Sequence, residues 1–524
     1  MILVLFACIF MYIFIAGSMT DYIDYDFYAR LIVGKTFFQT GDILKYDFLS
    51  YAPTHFWYDH EWGASVIFYF ILDHFGDMGL LFLKTTLLFL TFVFLILIIR
   101  LRRKFLAPNT VFPIFNFLFF YVFLVAMRSH IYSLRCHHFT FFFFAIWLYV
   151  LEKARLEKNY KSLWILPPLM LIWSNIHGGC FMAIGVTGIY LTGEFLKKRS
   201  FMPYLYTIIF SFLFMFINPY GINYVIFLLK ATTMNRPYIS EWKSPFSSAF
   251  THNKAIIYKM ILFFTFGTII YKFTKVFKSL SENSKLERIK KIYSDIDVTK
   301  ALLILILGLL SVKSSRFIPY FLFIVISFCY DDFYAIFNKR LPDKINTAKE
   351  IIIFVIIYAI FFLNILFNEY KNENYHNIFP LSEIEFLKMN NIKGNILVPF
   401  EIGSYAAYKL FPQNYIFMDG RYEEAYPPEI NDDYLRHLAL GLGKWKEELE
   451  HYRHDIILIY TKYDIFYAKL QEDPDYIETM GSKNFGIFLR KDVWEKAKKP
   501  FIIPPSEPEY YREKLWETSI DWKK

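Results

Sequence analysis

Long apolar runs alternate with short polar loops along the first 370 residues of the chain. Several runs approach the roughly 20 residues that cross a bilayer as a helix. Because backbone groups in lipid must be satisfied within a segment, the pattern predicts transmembrane helices. We expect about eleven of them by the window-length criterion. The runs lie near residues 2–18, 78–100, 110–127, 137–152, 162–176, 179–196, 203–217, 255–271, 301–313, 317–337 and 350–368.

Two stretches near the N-terminus need separate interpretation. A cleaved signal peptide usually has a basic residue before its apolar part. The opening run, MILVLFACIFMYIFIAGS, has none. We therefore expect a retained first helix. The run EWGASVIFYFILDHF (61–75) is short and is flanked by acidic residues and His. It predicts an interfacial or re-entrant helix rather than a span.

The pattern changes after residue 370, where polar residues and turn signals become frequent. Four short strand-like runs alternate with two helical patterns, which is typical of a small α/β domain over 370–500. Residues 501–524 are Pro-rich and charged, and we expect a surface strap or tail there. The strand-like runs are GNILVPF (394–400), NYIFMDG (414–420), DIILIY (455–460) and NFGIFLR (484–490), and the helical patterns are LSEIEFLKMN (381–390) and YLRHLALGLGKWKEELEHY (434–452).

Lys and Arg residues predict the orientation of the spans. Basic residues concentrate in alternate loops, which places those loops inside. The N-terminus is then inside, whereas loop 19–61, with its interfacial helices, and everything after residue 368 are outside. The predicted domains are a membrane domain over 1–369, an extracytoplasmic α/β domain over 370–500 and the tail. The predicted inner loops are 100–104, 152–161, 197–199, 272–300 and 338–344.

Composition supports a membrane protein and excludes some other classes. Hydrophobic residues make up 56% of the chain and charged residues 20%, with a mean hydropathy of +0.31. A soluble domain carries more charge. The net charge of +9 is spread over loops, with no block suited to nucleic acid. The four cysteines lie in or beside apolar runs, so no disulfide framework is predicted in the α/β domain.

Polar clusters at the edge of the membrane domain share one feature. Under the predicted topology, every one of them lies on the outer side. Residues that only aid solubility would be divided between both faces, so this one-sidedness predicts a site at the outer membrane boundary. The clusters are DYDFYARLIVGK (24–35), WYDHEW (57–62), RSHIYSLRCHH (128–138), WSNIHGG (173–179), INPYG (217–221), ISEWKSP (239–245) and SSRFIPY (314–320).

The side chains in these clusters favour chemistry on a phosphate-linked lipid. Arg binds phosphate oxygens through paired hydrogen bonds, and a carboxylate takes a proton from an attacking hydroxyl. The D-x-D spacing of Asp24 and Asp26 also suits a shared divalent cation such as Mg²⁺ or Mn²⁺. No other cofactor is predicted. The carboxylates are Asp24, Asp26, Asp59, Glu61 and Glu241, and the cationic candidates are Arg128, Arg135, Arg316, His60, His137, His138 and His177.

Each cluster also has a structural interpretation. Asp24 and Asp26 could simply end a membrane helix, and His137 and His138 could anchor a helix at the interface. The HEW sequence lacks the second His of H-E-x-x-H, so it is weak support for a zinc protease. Arg316 is harder to explain structurally, because the positive-inside bias disfavours an outer Arg at the start of a span.

Taken in order, the motifs resemble a family of bacterial membrane proteins placed with the C-type glycosyltransferases, multi-span enzymes that use polyprenyl-phosphate sugars. The resemblance covers residues 20 to about 490. One departure concerns a His that commonly follows the family's D-x-D, where this chain has Tyr28 and Arg30. The matching residues are Asp24, Asp26, Gly34, Gly41, Asp47, Ser50, Trp57, His60, Glu61, Trp62, Trp173, Asn175, His177, Gly178, Gly179, Asn218, Pro219, Tyr220, Gly221, Glu241, Trp242, Arg316, Gly403, Asp419, Gly420 and Arg421.

The resemblance implies an inverting transfer of sugar from a polyprenyl-phosphate donor to a glycan, lipid or protein acceptor at the outer face of the bacterial cytoplasmic membrane. It implies that Asp24 or Asp26 is the general base or metal-binding acid, with Asp59 and Glu61 as further acidic candidates. The donor phosphate would be held by Arg316, Arg135, His177 and His138. Residues that would bind the acceptor or cap the site are His60, Glu241, Trp242, Asp419 and Arg421.

Two other functions remain open at the level of sequence. A transporter or flippase would need charged residues midway through its spans. The sequence offers few, namely Lys84 in the second span and Glu194 and Lys259 near helix ends. A non-enzymatic membrane protein could use the outer α/β domain to bind a partner. The sugar, the acceptor, the lipid length, the dependence on metal and the oligomeric state do not follow from the sequence.

Overall fold

The computed structural model is mostly helical, at 67%, with one small sheet. Its helices in chain order are α1 Tyr25–Thr40, α2 Trp62–Leu106, α3 Pro113–Ala126, α4 Arg128–Ile131, α5 His137–Glu157, α6 Leu166–Ile176, α7 Phe181–Leu196, α8 Met202–Met215, α9 Ile222–Thr233, α10 Ile256–Ser279, α11 Val298–Lys313, α12 Ile318–Phe328, α13 Tyr330–Asn338, α14 Leu381–Met389, α15 Phe400–Leu410, α16 Pro428–Asp433, α17 Trp445–His451, α18 Ile465–Glu472 and α19 Lys491–Lys496. The structure describes Ile9, Ile13 and residues 23–106, 113–234, 236, 239–247, 255–279, 296–338, 379–439, 441–461, 465–505, 510–511 and 514–520.

The chain divides into two compact units. The helical unit comprises Met1–Thr20 and Leu80–Phe367, and the mixed unit comprises Asp21–Gly79 and Asn368–Lys524. The sequence predicted that the outer loop belongs to the membrane domain. The structure instead groups residues 21–79 with the α/β domain, because α1 packs on α15 and the loop after α1 hydrogen-bonds to the sheet.

The apolar runs form helices of unequal length. Two helices among the described residues are long and apolar enough to cross a membrane, Trp62–Leu106 and Gly178–Leu196. A third candidate is the pair Ser315–Phe328 and Tyr330–Ile336, which is bent by 64°. Run 203–217 forms a helix of only 14 residues, whereas run 137–152 lies in the 21-residue helix α5, which is not among the candidate spans. Run 350–368, and run 2–18 apart from Ile9 and Ile13, lie outside the described residues. The prediction of about eleven spans is therefore not confirmed by helix length.

The stretch 61–75, predicted as an interfacial or re-entrant helix, is the first part of α2. Gly76 has non-helical angles, φ 66° and ψ −164°, and so separates this part from the rest of the helix. It packs closely on α1, because a Cβ on Gly34 would come within 3.0 Å of Ser65 and Tyr69. Gly34 thus allows two helices of the mixed unit to approach each other.

Charged residues at one end of the helical unit form a buried ionic cluster. Arg155 bonds to Asp297 Oδ1 at 2.8 Å and to Glu152 Oε1 at 2.7 Å. Arg102 bonds to the same two carboxylates. These four residues come from three loops or loop edges that the sequence predicted on the inner side, and the structure brings them together.

The mixed unit contains a five-stranded sheet in the order β2-β1-β3-β5-β4. Its first three strands are parallel, and the pairs β3–β5 and β5–β4 are antiparallel. Four strands coincide with the four predicted runs. The sequence missed β4, whose residues YIETMG are too polar to stand out, and it missed helix α15. The strands are β1 Gly394–Leu397, β2 Asn414–Ile416, β3 Ile456–Tyr460, β4 Tyr476–Gly481 and β5 Phe485–Arg490.

The predicted helix over 434–452 is interrupted. A π-helical turn at Tyr434–Leu438 is followed by Gly441 and Gly443, both with positive φ, before α17 begins at Trp445. The left-handed backbone at the two glycines ends one segment and redirects the chain. The predicted single helix is thus two shorter segments.

The C-terminal residues 514–520 form a strap along α15. Thr518 Oγ1 donates to Tyr408 O at 2.6 Å, and Ser519 Oγ donates to Lys409 O at 2.8 Å. In return Lys409 Nζ donates to Glu517 O at 2.6 Å. These bonds join the chain end to a helix more than 100 residues earlier. This C-terminal strap is therefore a folded part of the mixed unit.

The C-terminal strap is expected to become more stable as the pH rises above 7. Burial, followed by the charge of Lys388, lowers the pKa of Lys409 to about 7. The unfolded chain keeps a normal lysine pKa, so it binds an extra proton between about pH 7 and pH 10. Stability therefore rises with pH in that window, by at most about 1.4 kcal/mol per pH unit, and is lost as the pH falls through 7.

Hydrogen exchange of residues 514–520 in the full-length protein measures this effect, after correction for intrinsic exchange rates. Protection should increase from pH 7 to pH 9 in the wild type, and Lys409→Met should flatten the increase. Lys393, which is exposed in the same unit, serves as the control when replaced by Met. Parallel curves for wild type and Lys409→Met would show that another group causes the dependence.

Candidate functional site

The two aspartates of the D-x-D motif occupy different positions at the start of α1. Asp24 is the N-cap, with extended backbone angles, and its Oδ1 accepts a hydrogen bond from Asp26 N at 3.1 Å. This bond satisfies a backbone donor that the first helical turn leaves open. Asp26 lies in the first turn and its side chain is exposed. Asp24 thus has a structural role and is partly exposed, whereas the side chain of Asp26 is exposed.

Asp26 lies against the D-G-R turn that follows β2. A Cβ built on Gly420 would come within 3.0 Å of Asp26 Oδ1 and 3.4 Å from its Cγ. The two motifs are almost 400 residues apart in the chain. The fold of the mixed unit therefore joins the first and last motifs of the resemblance in one place.

The residues on either side of Gly420 are fixed by buried hydrogen bonds. Arg421 Nε donates to Asp419 Oδ1 at 2.8 Å, and Arg421 Nη1 lies 2.6 Å from Asp47 Oδ1. Asp419 also accepts from Ser404 Oγ at 3.0 Å. Burial alone would lower the pKa of Arg421, but the carboxylates of Asp419 and Asp47 outweigh it and raise that pKa. Arg421 therefore stays charged and holds both carboxylates.

This network gives a structural explanation for several motif residues. Gly403 allows α15 to approach the turn, because a Cβ there would stand 2.7 Å from Asp419 Cβ. Tyr426 Oη bonds to Ser50 Oγ at 2.7 Å. Asp419 is fully buried and Arg421 is 6% exposed. Contacts inside the mixed unit thus occupy both residues, and they lend no support to the acceptor-binding role predicted for them.

Asp59, predicted as a catalytic acid, is also fully buried. Arg30 Nη1 donates to its Oδ1 at 2.6 Å and lies 3.5 Å from Glu61 Oε2. Arg30 stands where the resemblance drawn from the sequence led us to expect a His. The ion pair gives Asp59 and Arg30 a structural role. The structure therefore supports Asp59 as a structural partner of Arg30.

Trp57 lies between two arginines. The guanidinium carbon of Arg30 is 5.3 Å from the indole centroid and that of Arg421 is 5.0 Å away. The indole is 1% exposed, so these cation–π contacts are largely desolvated and correspondingly stronger. Trp57, one of the motif residues, therefore lies at the centre of this network.

His60 lies between two carboxylates at the partly exposed edge of the mixed unit. Its Nδ1 is 3.5 Å from Glu424 Oε2, and its Nε2 is 3.9 Å from Glu61 Oε1. The sequence named His60 and Glu61 but missed Glu424, which no motif marks. The imidazole is within ion-pairing distance of both carboxylates. The predicted acceptor or capping role of His60 and the catalytic role of Glu61 stay predictions.

Among the residues that the structure describes, none forms a metal site together with the D-x-D pair. No group of three or more His, Cys, Asp or Glu side chains among the described residues is arranged to hold a metal ion. One oxygen of Asp24 is moreover used as the helix cap. The described residues therefore do not fit the Mg²⁺ or Mn²⁺ suggested by the spacing, and we assign no step to a metal.

A second polar cluster lies in the helical unit, where three predicted outer loops meet. Arg135 Nη1 donates to Glu241 Oε1 at 2.7 Å, and both Ser314 and Ser315 donate to Glu241 O. His130 Nε2 bonds to Ser315 O at 3.0 Å. These contacts fix the turn that carries Arg316. Arg135 was predicted to bind phosphate, and its guanidinium is already paired with Glu241.

Arg316 differs from the other arginines of this cluster. Its guanidinium carbon lies 5.1 Å from the ring centroid of Trp242. Within the part of the chain that the structure describes, this guanidinium has no hydrogen bond and no ion pair. It is partly exposed. Trp242 thus positions a cation whose five N–H donors are open to a ligand.

His138 and His177, both predicted to hold phosphate, have structural partners. His138 is fully buried and bonds to Arg135 O at 3.0 Å. His177 is 3% exposed, bonds to Thr140 Oγ1 at 2.7 Å and accepts from Gly179 N at 2.9 Å. The W-S-N-I-H-G-G motif therefore builds a turn between two helices. Phosphate binding by either His has no support in these contacts.

Comparisons with known proteins add no family. Neither known protein families nor curated proteins gave a match to this chain. The functional argument therefore rests on the two clusters themselves. One is the exposed Asp26 held at the D-G-R turn of the mixed unit, and the other is Arg316 on Trp242 in the helical unit.

Proposed function

We propose that this protein is an integral membrane glycosyltransferase that moves a sugar from a polyprenyl-phosphate donor to an acceptor at the outer face of the bacterial cytoplasmic membrane. The acceptor is a glycan, a lipid or a protein. In this proposal the helical unit contains about eleven spans and the mixed unit is extracytoplasmic.

Contacts within the helical unit support this topology. Loops predicted outside bond to one another, as Arg135 does to Glu241. Loops predicted inside share the ionic cluster of Arg102, Arg155 and Asp297. A random assignment of loops to faces would not sort them in this way. The long apolar helices among the described residues agree with a membrane location.

The observation that carries the proposal is the position of Arg316. A cation on the predicted outer side is unusual, and here an indole presents it without a hydrogen-bond or ion-pair partner among the described residues. Guanidinium groups bind phosphate oxygens through two parallel hydrogen bonds. Arg316 therefore suits the phosphate of a lipid-linked donor.

The proposed reaction needs a base. The Asp26 carboxylate takes the proton of the acceptor hydroxyl, whose oxygen forms a bond to the anomeric carbon of the sugar. The bond from that carbon to the phosphate oxygen breaks, and its electron pair leaves with polyprenyl phosphate. The products are the inverted glycoside and polyprenyl phosphate, and Asp26 returns its proton to water.

Replacing Arg316 by Met should weaken phosphate binding by about 10- to 100-fold, the range expected for lost hydrogen bonds to a charged group. The measurement is the dissociation constant of undecaprenyl phosphate for the full-length protein in neutral detergent. Lys313 provides the matched control, since it is exposed three residues earlier and carries the same charge. Lys313→Met should change the dissociation constant less than twofold.

Equal effects of Arg316→Met and Lys313→Met would mean that the lipid responds only to net charge, and the phosphate site would then be wrong. Phosphatidylglycerol, measured in parallel, separates a specific phosphate site from attraction to any anionic lipid. Transport of labelled lipid across liposomes by the Asp26→Asn variant at the wild-type rate would favour the transporter alternative instead.

A further inference from the structure

The approach of Asp26 to Gly420 has a functional consequence. Glycine is usually required for one of two reasons, a positive φ or a lack of space for a Cβ. Gly420 is not among the glycines with positive φ in the structure, which include Gly394 and Gly441. Its Cβ position is instead occupied by the Asp26 carboxylate. Space for a carboxylate is therefore the reason for a glycine at 420.

Hydrogen bonds and ion pairs fix both of the segments that form the contact between Gly420 and Asp26. Asp419 and Arg421, the neighbours of Gly420, are bound to each other, and Arg421 is bound to Asp47. The other side is the first turn of α1, where the Asp24 cap holds Asp26 N. Two rigid backbones therefore meet at this carboxylate. The side chain of Asp26 remains exposed, so the contact limits its orientation without burying it.

We infer that Gly420 is a positioning residue that orients the Asp26 carboxylate for proton abstraction, an inference that rests on the function proposed above. A catalytic base must lie within hydrogen-bond reach of the proton it removes, and small displacements are costly. The α/β domain thereby contributes directly to the reaction. Its D-G-R turn limits the rotation of a carboxylate almost 400 residues away in the chain.

The first test uses folding stability, which does not depend on the reaction. Gly420→Ala should lower the melting temperature of the full-length protein slightly, because the new Cβ forces the exposed Asp26 carboxylate to shift. Asp26→Ala removes that oxygen, so adding Gly420→Ala to it should cause little further loss. If Gly420→Ala lowers the melting temperature equally in both backgrounds, the contact with Asp26 is not the reason for a glycine at 420.

The second test uses the rate of transfer. Gly420→Ala should lower kcat about tenfold or more while leaving the KM for the donor nearly unchanged, since a displaced base affects the chemical step. In an Asp26→Asn background the same substitution should have no further effect on the residual rate. A purely structural role would instead lower the active fraction equally in both backgrounds.

The chain offers a matched control for the test of the transfer rate. A Cβ on Gly481 would stand 2.8 Å from Glu478 Oε1, so Gly481→Ala also displaces an exposed carboxylate of the mixed unit. That variant should keep the wild-type kcat. If Asp26→Asn is inactive and Gly420→Ala is fully active, the positioning role is wrong and the proposed base stands. If Asp26→Asn is fully active, both the positioning role of Gly420 and the proposed base are wrong.

Discussion

Asp26→Asn should lower the rate of sugar transfer by about 10²–10⁴-fold, the usual contribution of a general base, while the protein folds normally. Asn has nearly the same shape as Asp but cannot accept the proton of the acceptor. The side chain is exposed, so its replacement leaves no cavity in the core. The measurement is release of polyprenyl phosphate from polyprenyl-phosphate hexoses by the full-length protein, followed by mass spectrometry.

Asp24→Asn is the matched control for this experiment. Asn caps helices about as well as Asp, so the bond to Asp26 N can form in the variant. Only the favourable interaction of a negative charge with the helix N-terminus is lost, at a cost of about 0.3–1 kcal/mol. Transfer should stay within about twofold of wild type. If Asp24→Asn loses activity and Asp26→Asn is fully active, Asp24 is the catalytic base and Asp26 is not.

Replacing Arg421 by Met should destabilise the mixed unit by about 3–5 kcal/mol, because removing one partner of a buried ion pair leaves its carboxylates uncompensated. Asp47 and Asp419 would both lose their cation. Asp47 lies in the segment after α1, so the same change should loosen that segment. Chemical unfolding of the full-length protein and proteolysis within residues 41–57 measure the two effects.

Arg453→Met provides the comparison for Arg421→Met. Arg453 is in the same unit and pairs with Asp455 at 2.8 Å and Asp492 at 3.1 Å, but its side chain is 56% exposed. Exposed ion pairs contribute about 0–1 kcal/mol. A similar loss of stability in both variants would show that the Arg421 network contributes no more than a surface pair, contrary to our interpretation of the site.

Local chemistry made much of the mixed unit predictable. Strands β1, β2, β3 and β5 were found because short runs of Ile, Leu and Phe stand between turn residues. Strand β4 was missed because its polar residues resemble a loop. Helix α15 was missed because its sequence, FEIGSYAAYKL, contains a Gly and mixes aromatic with small residues. Both are stabilised by contacts with distant segments, and local sequence does not reveal such contacts.

The candidate site was predictable in composition but not in arrangement. The sequence identified Asp26, Arg316 and Trp242 by their motifs. It did not distinguish Asp26 from Asp24, because two carboxylates two residues apart look equivalent until one caps a helix. It also treated Asp59 and Asp419 as functional, although each is buried against an arginine. Burial and pairing depend on the tertiary structure.

By itself, the sequence determined the apolar character of the chain, the change to an α/β pattern after residue 370 and the residue types available for chemistry. These properties follow from composition and periodicity, which act within a few residues. The tertiary structure decided that residues 21–79 fold with the α/β domain, that Gly420 leaves space for Asp26, and that Arg30 and Arg421 flank Trp57. These contacts join residues tens to hundreds of positions apart, and their partners are selected by shape and charge in the folded chain.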